Sequence, residues 1–194
     1  MTRFSARVWI DVAVLTVLTV IGLLGFATSF GTTSYLLAGL GGLAVGTLIA
    51  LLAASLRWGI LVTALALVGG YFLFGSFFAM PAQALLGFIP TAETLSGLAV
   101  GAVFGWADIV TLTTPVGAPD YIAVLPYIAS WLVGLTSATL AARWFVARRR
   151  TPPKSALALL GPIAIYVAGV LVGTEEPYFA AIRGVAFAAI GLVW

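Results

Sequence analysis

The chain has 194 residues, of which 62% are hydrophobic and only 8% charged. Soluble domains run at roughly 45–50% apolar and about 25% charged, so a water-soluble globule is excluded, since it would expose apolar patches that aggregate. The absence of cysteine and histidine removes disulfides, thiolate nucleophiles, imidazole bases and ordinary zinc sites from the chemistry this chain can do, and the net charge of +3 reflects basic residues gathered at chain boundaries rather than a nucleic-acid partner.

A spanning helix needs about 20 apolar residues, and the charges mark where such runs end. The leader carries Arg3 and Arg7, and span 1 follows from about Val8 to Phe30. After the polar turn at Gly31 to Ser34, span 2 covers about Tyr35 to Ser55 and returns at Arg57. Span 3 runs from about Trp58 to Met80, with Pro81 ending it. Pro81 to Asp120 is the longest segment between spans. Its beginning reads as irregular; Thr91 then caps a helix with Glu93 in its first turn, where a carboxylate suits the positive end of the dipole. That helix extends to about Val110. Its apolar stretch is short and bracketed by Glu93 and Asp108, so an interfacial or re-entrant helix is expected rather than a crossing. Span 4, about Tyr121 to Ala142, ends at Arg143 and the Arg148-Arg149-Arg150 cluster. Span 5, about Ser155 to Gly173, leads to the acidic turn Glu175-Glu176, and span 6 covers about Tyr178 to Trp194.

Basic and acidic boundaries therefore alternate. Basic loops are retained in the cytoplasm, which puts the N-terminus inside and residues 81–120 outside. Trp9, Trp58, Trp144 and Trp194 mark the inner ends; Tyr35, Trp106, Tyr121 and Tyr178 mark the outer ones, as interfacial rings should. The expected fold is all-α: a polytopic bundle of six transmembrane helices plus one short external interfacial or re-entrant helix, in one domain of the plasma (inner) membrane. The stop at Trp194 reads as the N-terminal part of a longer protein.

Few residues offer chemistry. Asp11 lies about one turn into span 1, shallow enough to reach interfacial water, and Arg7 is placed four residues earlier to pair with it. Arg183 sits within span 6 near the outside, where a lone guanidinium is costly unless paired; Glu176, Glu175 and Asp108 are its candidate partners in a structural clamp, with an anionic ligand or lipid as the other reading. Small residues recur at helical spacing at Gly42 and Gly46, at Gly97, Gly101 and Gly105, and at Gly169 and Gly173, which favours close helix packing in lipid. Pro126 and Pro162 are expected to kink their helices.

The stretch Gly105-Trp106-Ala107-Asp108-Ile109-Val110-Thr111-Leu112-Thr113-Thr114-Pro115-Val116-Gly117, with Leu125-Pro126-Tyr127 beyond it, resembles the N-terminal membrane region of actinobacterial transglutaminase-like membrane proteins. The resemblance is strongest over residues 105–131. It implies a non-catalytic membrane anchor, possessing regulatory scope, for an extracytoplasmic domain of the same polypeptide that would contact residues 81–120. The family's Cys/His/Asp site has no counterpart here, so no enzyme activity and no cofactor are expected of this chain. The alternative is a small-molecule transport component, a six-helix substrate-binding membrane subunit with an outward cavity lined by Tyr71, Gln83, Trp106, Tyr127, Trp131, Tyr166 and Arg183. An intramembrane serine protease is weaker, because the sole lysine, Lys154, lies on the cytoplasmic side.

Overall fold

The computed structural model describes residues 4–30, 33–111, 121–144, 152–173 and 179–194. These residues are helical except for turns and one isolated bridge between Leu85 and Ile89. Helix α1 (Ala6–Leu23) passes through a 3-10 turn at Leu24–Phe26 into α2 (Ala27–Phe30). The others are α3 (Ser34–Ser55), α4 (Ile60–Phe78), α5 (Ala92–Thr111), α6 (Val124–Thr139, continuing through a π-helical turn at Leu140–Trp144), α7 (Pro152–Val172) and α8 (Ala180–Val193).

Four stretches of the described residues are long and apolar enough to cross a bilayer: Ala6–Phe30, Ser34–Ser55, Ile60–Phe78 and Val124–Arg143. Ala156–Val172 and Ala180–Val193 are shorter apolar helices. Such helices bond their own backbone and bear apolar side chains, which is what a membrane-embedded protein requires.

Two glycine seams hold the bundle. A Cβ on Gly42 of α3 would strike the Tyr127 carbonyl of α6, and one on Gly46 would strike the Trp131 carbonyl; a Cβ on Gly134 would lie 2.5 Å from the Leu43 carbonyl. The α3 and α6 backbones thus run against each other, in the same direction. In the second seam, Gly22 faces Tyr166, and Gly25 faces Gly169, so α1 and α7 are also parallel. Close approach of this kind replaces the hydrophobic drive that lipid does not supply. Gly173 meets only its own helix and takes no part.

One sequence expectation needs correcting, and two others gain detail. Span 1 forms over Ala6–Phe30, its backbone tightening at Leu24–Phe26 where Gly25 presses on Gly169. Pro126 does not kink α6. The helix starts at Val124, so Pro126 stands in the first turn, where no intrahelical N–H is required. Tyr35 stands at the second residue of α3 and is buried against protein, with its ring 5.6 Å from that of Phe30. Pro162 is inside α7 and fully buried.

The turn from α3 to α4 is sharp. Arg57 adopts a left-handed backbone (φ 54°) just past the helix, and the Trp58 amide reaches back to the Ala53 carbonyl at 3.0 Å, the closure usually made by glycine. Arg143, at the end of α6, donates a second bond to the same carbonyl at 2.9 Å. A guanidinium at a helix C-terminus is favoured by the dipole.

Candidate functional site

At the end of the bundle where α4 stops and α6 starts, α5 lies across both. Thr91 and Thr94 cap it reciprocally: the Thr94 amide donates to Thr91 Oγ1 (3.1 Å) and the Thr91 amide to Thr94 Oγ1 (2.8 Å). Threonine takes the position that glutamate fills in the usual capping box. Thr94 is fully buried, its hydroxyl donating to the Thr91 carbonyl (3.0 Å) and lying 3.1 Å from Ser76 Oγ of α4. Thr91 Oγ1 donates to the Gln83 carbonyl at 3.0 Å.

Deeper in, the Tyr71 hydroxyl donates to the Leu98 carbonyl (3.0 Å) and the Tyr127 hydroxyl to the Tyr71 carbonyl (3.1 Å). The Tyr71 ring packs against Tyr127 and Trp131 at centroid distances of 5.5 and 5.6 Å. The three rings fill the space together; the two tyrosine hydroxyls bond carbonyls, whereas Trp131 Nε1 is buried with no hydrogen-bond partner among the described residues. Gly97, Gly101 and Gly105 all turn toward neighbours, respectively Met80, Tyr121 with Val124, and Leu125.

Asp108 and Tyr121 form the polar contact at the far end of α5, with the phenol donating to Oδ2 at 3.0 Å. That hydrogen bond, with some burial and the carboxylate charge behind it, raises the Tyr121 phenol above its ordinary pKa. Asp108 is therefore bonded to Tyr121 and not to Arg183. The Arg183 guanidinium lies instead against Gly25, with Nη1 2.7 Å from where a Gly25 Cβ would be. Its Nε is buried with no hydrogen-bond partner among the described residues. Glu175 and Glu176 lie outside the described residues. Trp106 is more than half exposed on α5.

At the opposite end, Asp11 is 2% exposed, deeper than its position one turn into the helix implies. The reason is α8, which returns antiparallel to α1 and brings the Trp194 indole Nε1 to Asp11 Oδ1 at 2.9 Å. Arg7 and Asp11 together line a groove of about 610 Å³ between α1 and α8, whose walls are otherwise Ile10, Val14, Ala189, Ile190 and Val193 with Trp194. The sequence placed Arg7 beside Asp11; the Trp194 contact, bridging 183 positions, had no local signal.

The hydroxyls at the α5 end are engaged with backbone carbonyls or with one another, an arrangement that fastens helices. Among the described residues there is no group of three or more Asp or Glu able to hold a metal ion. Compared with models of protein families, with curated proteins and with solved structures, the chain matches none.

Proposed function

We propose that this chain is a six-span, non-catalytic membrane anchor, the membrane region of a transglutaminase-like protein, with its N-terminus in the cytoplasm and α5 on the outer side of the plasma membrane. The observation that carries the reading is how the polar groups are used. Tyr71, Tyr127, Ser76, Thr91, Thr94 and Arg143 each bond a neighbouring helix or loop, and the two glycine seams bring backbones together. That is the construction of a rigid support. The residues of the family resemblance on either side of residues 112–120 also meet, Gly105 against Leu125 at 4.0 Å from its would-be Cβ and Asp108 against Tyr121.

A transport role is less favoured. Tyr71, Tyr127 and Trp131 pack on one another, and the Arg7–Asp11 groove opens at the end of the bundle where α1 begins, which is the cytoplasmic end in this topology. The anchor reading is tested by tagging the gene at its chromosomal locus ahead of Met1 and measuring the mass of the membrane product. A mass well above 20.1 kDa, with the excess removed by protease from the outer side, is expected. A tagged product of that mass alone would sink the reading.

A further inference from the structure

Between Glu93 in its first turn and Asp108 near its end, helix α5 carries no charged side chain. The face turned to the bundle carries Thr94, Leu98, Gly101, Gly105 and Ile109, all buried. The opposite face carries Leu95, Val100, Val103, Phe104 and Trp106, all substantially exposed, with Val103 at 60% and Phe104 at 59%. A helix lying on a membrane with one wet flank would show charged or amide side chains there; a helix that is apolar all round belongs in a nonpolar environment on every side. Its exposed hydroxyls are already satisfied within the helix, Ser96 donating to the Glu93 carbonyl at 2.9 Å and Thr111 to the Ala107 carbonyl at 2.9 Å.

The turn preceding α5 has the same character. Leu86 (φ 55°) and Gly87 (φ 79°) are left-handed, and they close a hairpin in which Leu85 and Ile89 exchange both backbone bonds at 3.0 and 2.9 Å. The Gly87 and Phe88 amides also donate within the turn, at 3.1 and 3.3 Å. The hairpin holds its own backbone bonds while exposing Leu85, Leu86 (77%) and Phe88. An internally bonded backbone carrying outward apolar side chains is what hydrocarbon demands and water does not.

Helix α4, on which α5 packs through Ser76 and Thr94, carries an exposed apolar flank of its own through Leu61, Leu65, Val68, Leu73 and Phe77. Leu98 fills the space beside Gly75, three residues before α4 ends, so α5 rides about 4–5 Å inside that end at 1.5 Å per residue. We infer that α5 and the 85–89 hairpin are sunk into the acyl region of one leaflet, a re-entrant collar that extends the lipid-facing surface of α4. The occupant of the exposed face is lipid. This rests on the membrane reading and is independent of the anchor role.

The chain has no native cysteine, so single cysteines can be nitroxide-labelled cleanly. Full-length chain carrying Val103→Cys or Leu86→Cys is placed in phosphatidylcholine–phosphatidylglycerol vesicles, with Phe104→Cys as a second site should either fail to fold. Leu65→Cys on α4 is the lipid reference and Thr33→Cys, in the exposed turn before α3, the water reference. Collision rates with oxygen and with a water-soluble nickel chelate are compared. The expected oxygen-to-nickel ratio at 103 and 86 matches that at 65 and is several-fold above that at 33. A ratio equal to that at 33 places the face in water and overturns the collar. Low collision with both reagents and an immobilised spectrum mean that protein covers it, which overturns the collar equally. If Leu65→Cys itself behaves like Thr33→Cys, the membrane reading falls, and the collar with it.

Discussion

A methyl group on Gly42 has nowhere to go. Its Cβ would strike the Tyr127 carbonyl, an atom of a helix backbone that cannot swing aside. Gly69 of α4, by contrast, has nothing within 4 Å of a built Cβ. Gly42→Ala is therefore expected to destabilise the bundle by about 1–3 kcal/mol through overpacking, whereas Gly69→Ala should be neutral or stabilise by about 0.5–1 kcal/mol through helix propensity. Unfolding of both variants in detergent, monitored by circular dichroism, makes the comparison; equal effects would mean the α3–α6 seam is not this tight. Tyr121 allows a second test at this scale. Its folded-state pKa is raised by the bond to Asp108, so the folded state holds the proton more tightly. The stability this confers is complete below the unfolded value of about 10 and is lost as the pH rises through the folded value. Alkaline titration of stability should fall less steeply in Tyr121→Phe than in the parent. Identical slopes from pH 9 to 11 would show that the Asp108 contact contributes nothing.

For the α5 element, the cap is the feature most open to measurement. Thr91→Ala removes the acceptor for the Thr94 amide and the donor to Gln83, and about 1 kcal/mol should be lost, as for other N-caps. Thr94→Ala removes the reciprocal acceptor, so the double variant should lose less than the sum of the singles; strict additivity would mean that the two threonines act independently. This cap was legible in advance. Thr91 was readable as the start of a helix bearing Glu93, and the helix forms over Ala92–Thr111, because capping is a local property of a few neighbouring residues. The helix ends were legible for the same reason, with α3 at Ser34–Ser55 and α4 at Ile60–Phe78 close to the breaks marked by polar turns, Arg57 and Pro81. What the sequence did not disclose was who packs on whom. In lipid, apolar residues surround a helix on all sides, so no contrast between faces points to a neighbour. Gly42 and Gly46 announced a close contact but not that its partner would be α6, and nothing near Asp11 announced Trp194. Arg183 was singled out for its depth, yet the space that receives it is left by Gly25, a residue whose relevance lies in lacking a side chain.

Across the whole molecule, helix directions link packing to topology. The contacts of Gly42 with Tyr127, Gly46 with Trp131 and Ala53 with Arg143 advance together along α3 and α6, so those helices are parallel. Gly22 with Tyr166, Gly25 with Gly169 and Ser29 with Val172 advance together along α1 and α7. Asp11 with Trp194 and Gly25 with Arg183 run in opposite order, making α1 and α8 antiparallel. A chain that alternates sides with each of six spans sends the first and fifth the same way, the second and fourth the same way, and the first and sixth opposite ways. The packed directions have that parity, and the charges at the boundaries alternate in step, basic at Arg3, Arg7, Arg57 and Arg143, acidic at Glu93, Asp108, Glu175 and Glu176. Basic boundaries are retained in the cytoplasm, so Gln83, in the turn before α5, is expected outside and Arg149 inside. Gln83→Cys in intact cells should react with a membrane-impermeant maleimide, while Arg149→Cys should react only after the membrane is opened. Should α5 cross the bilayer, the chain would have seven spans, every later boundary would change sides, and both cysteines would react from the outside. Parity of packing, charge alternation and labelling are three independent constraints on one threading, and same-side labelling is the result that would break their agreement.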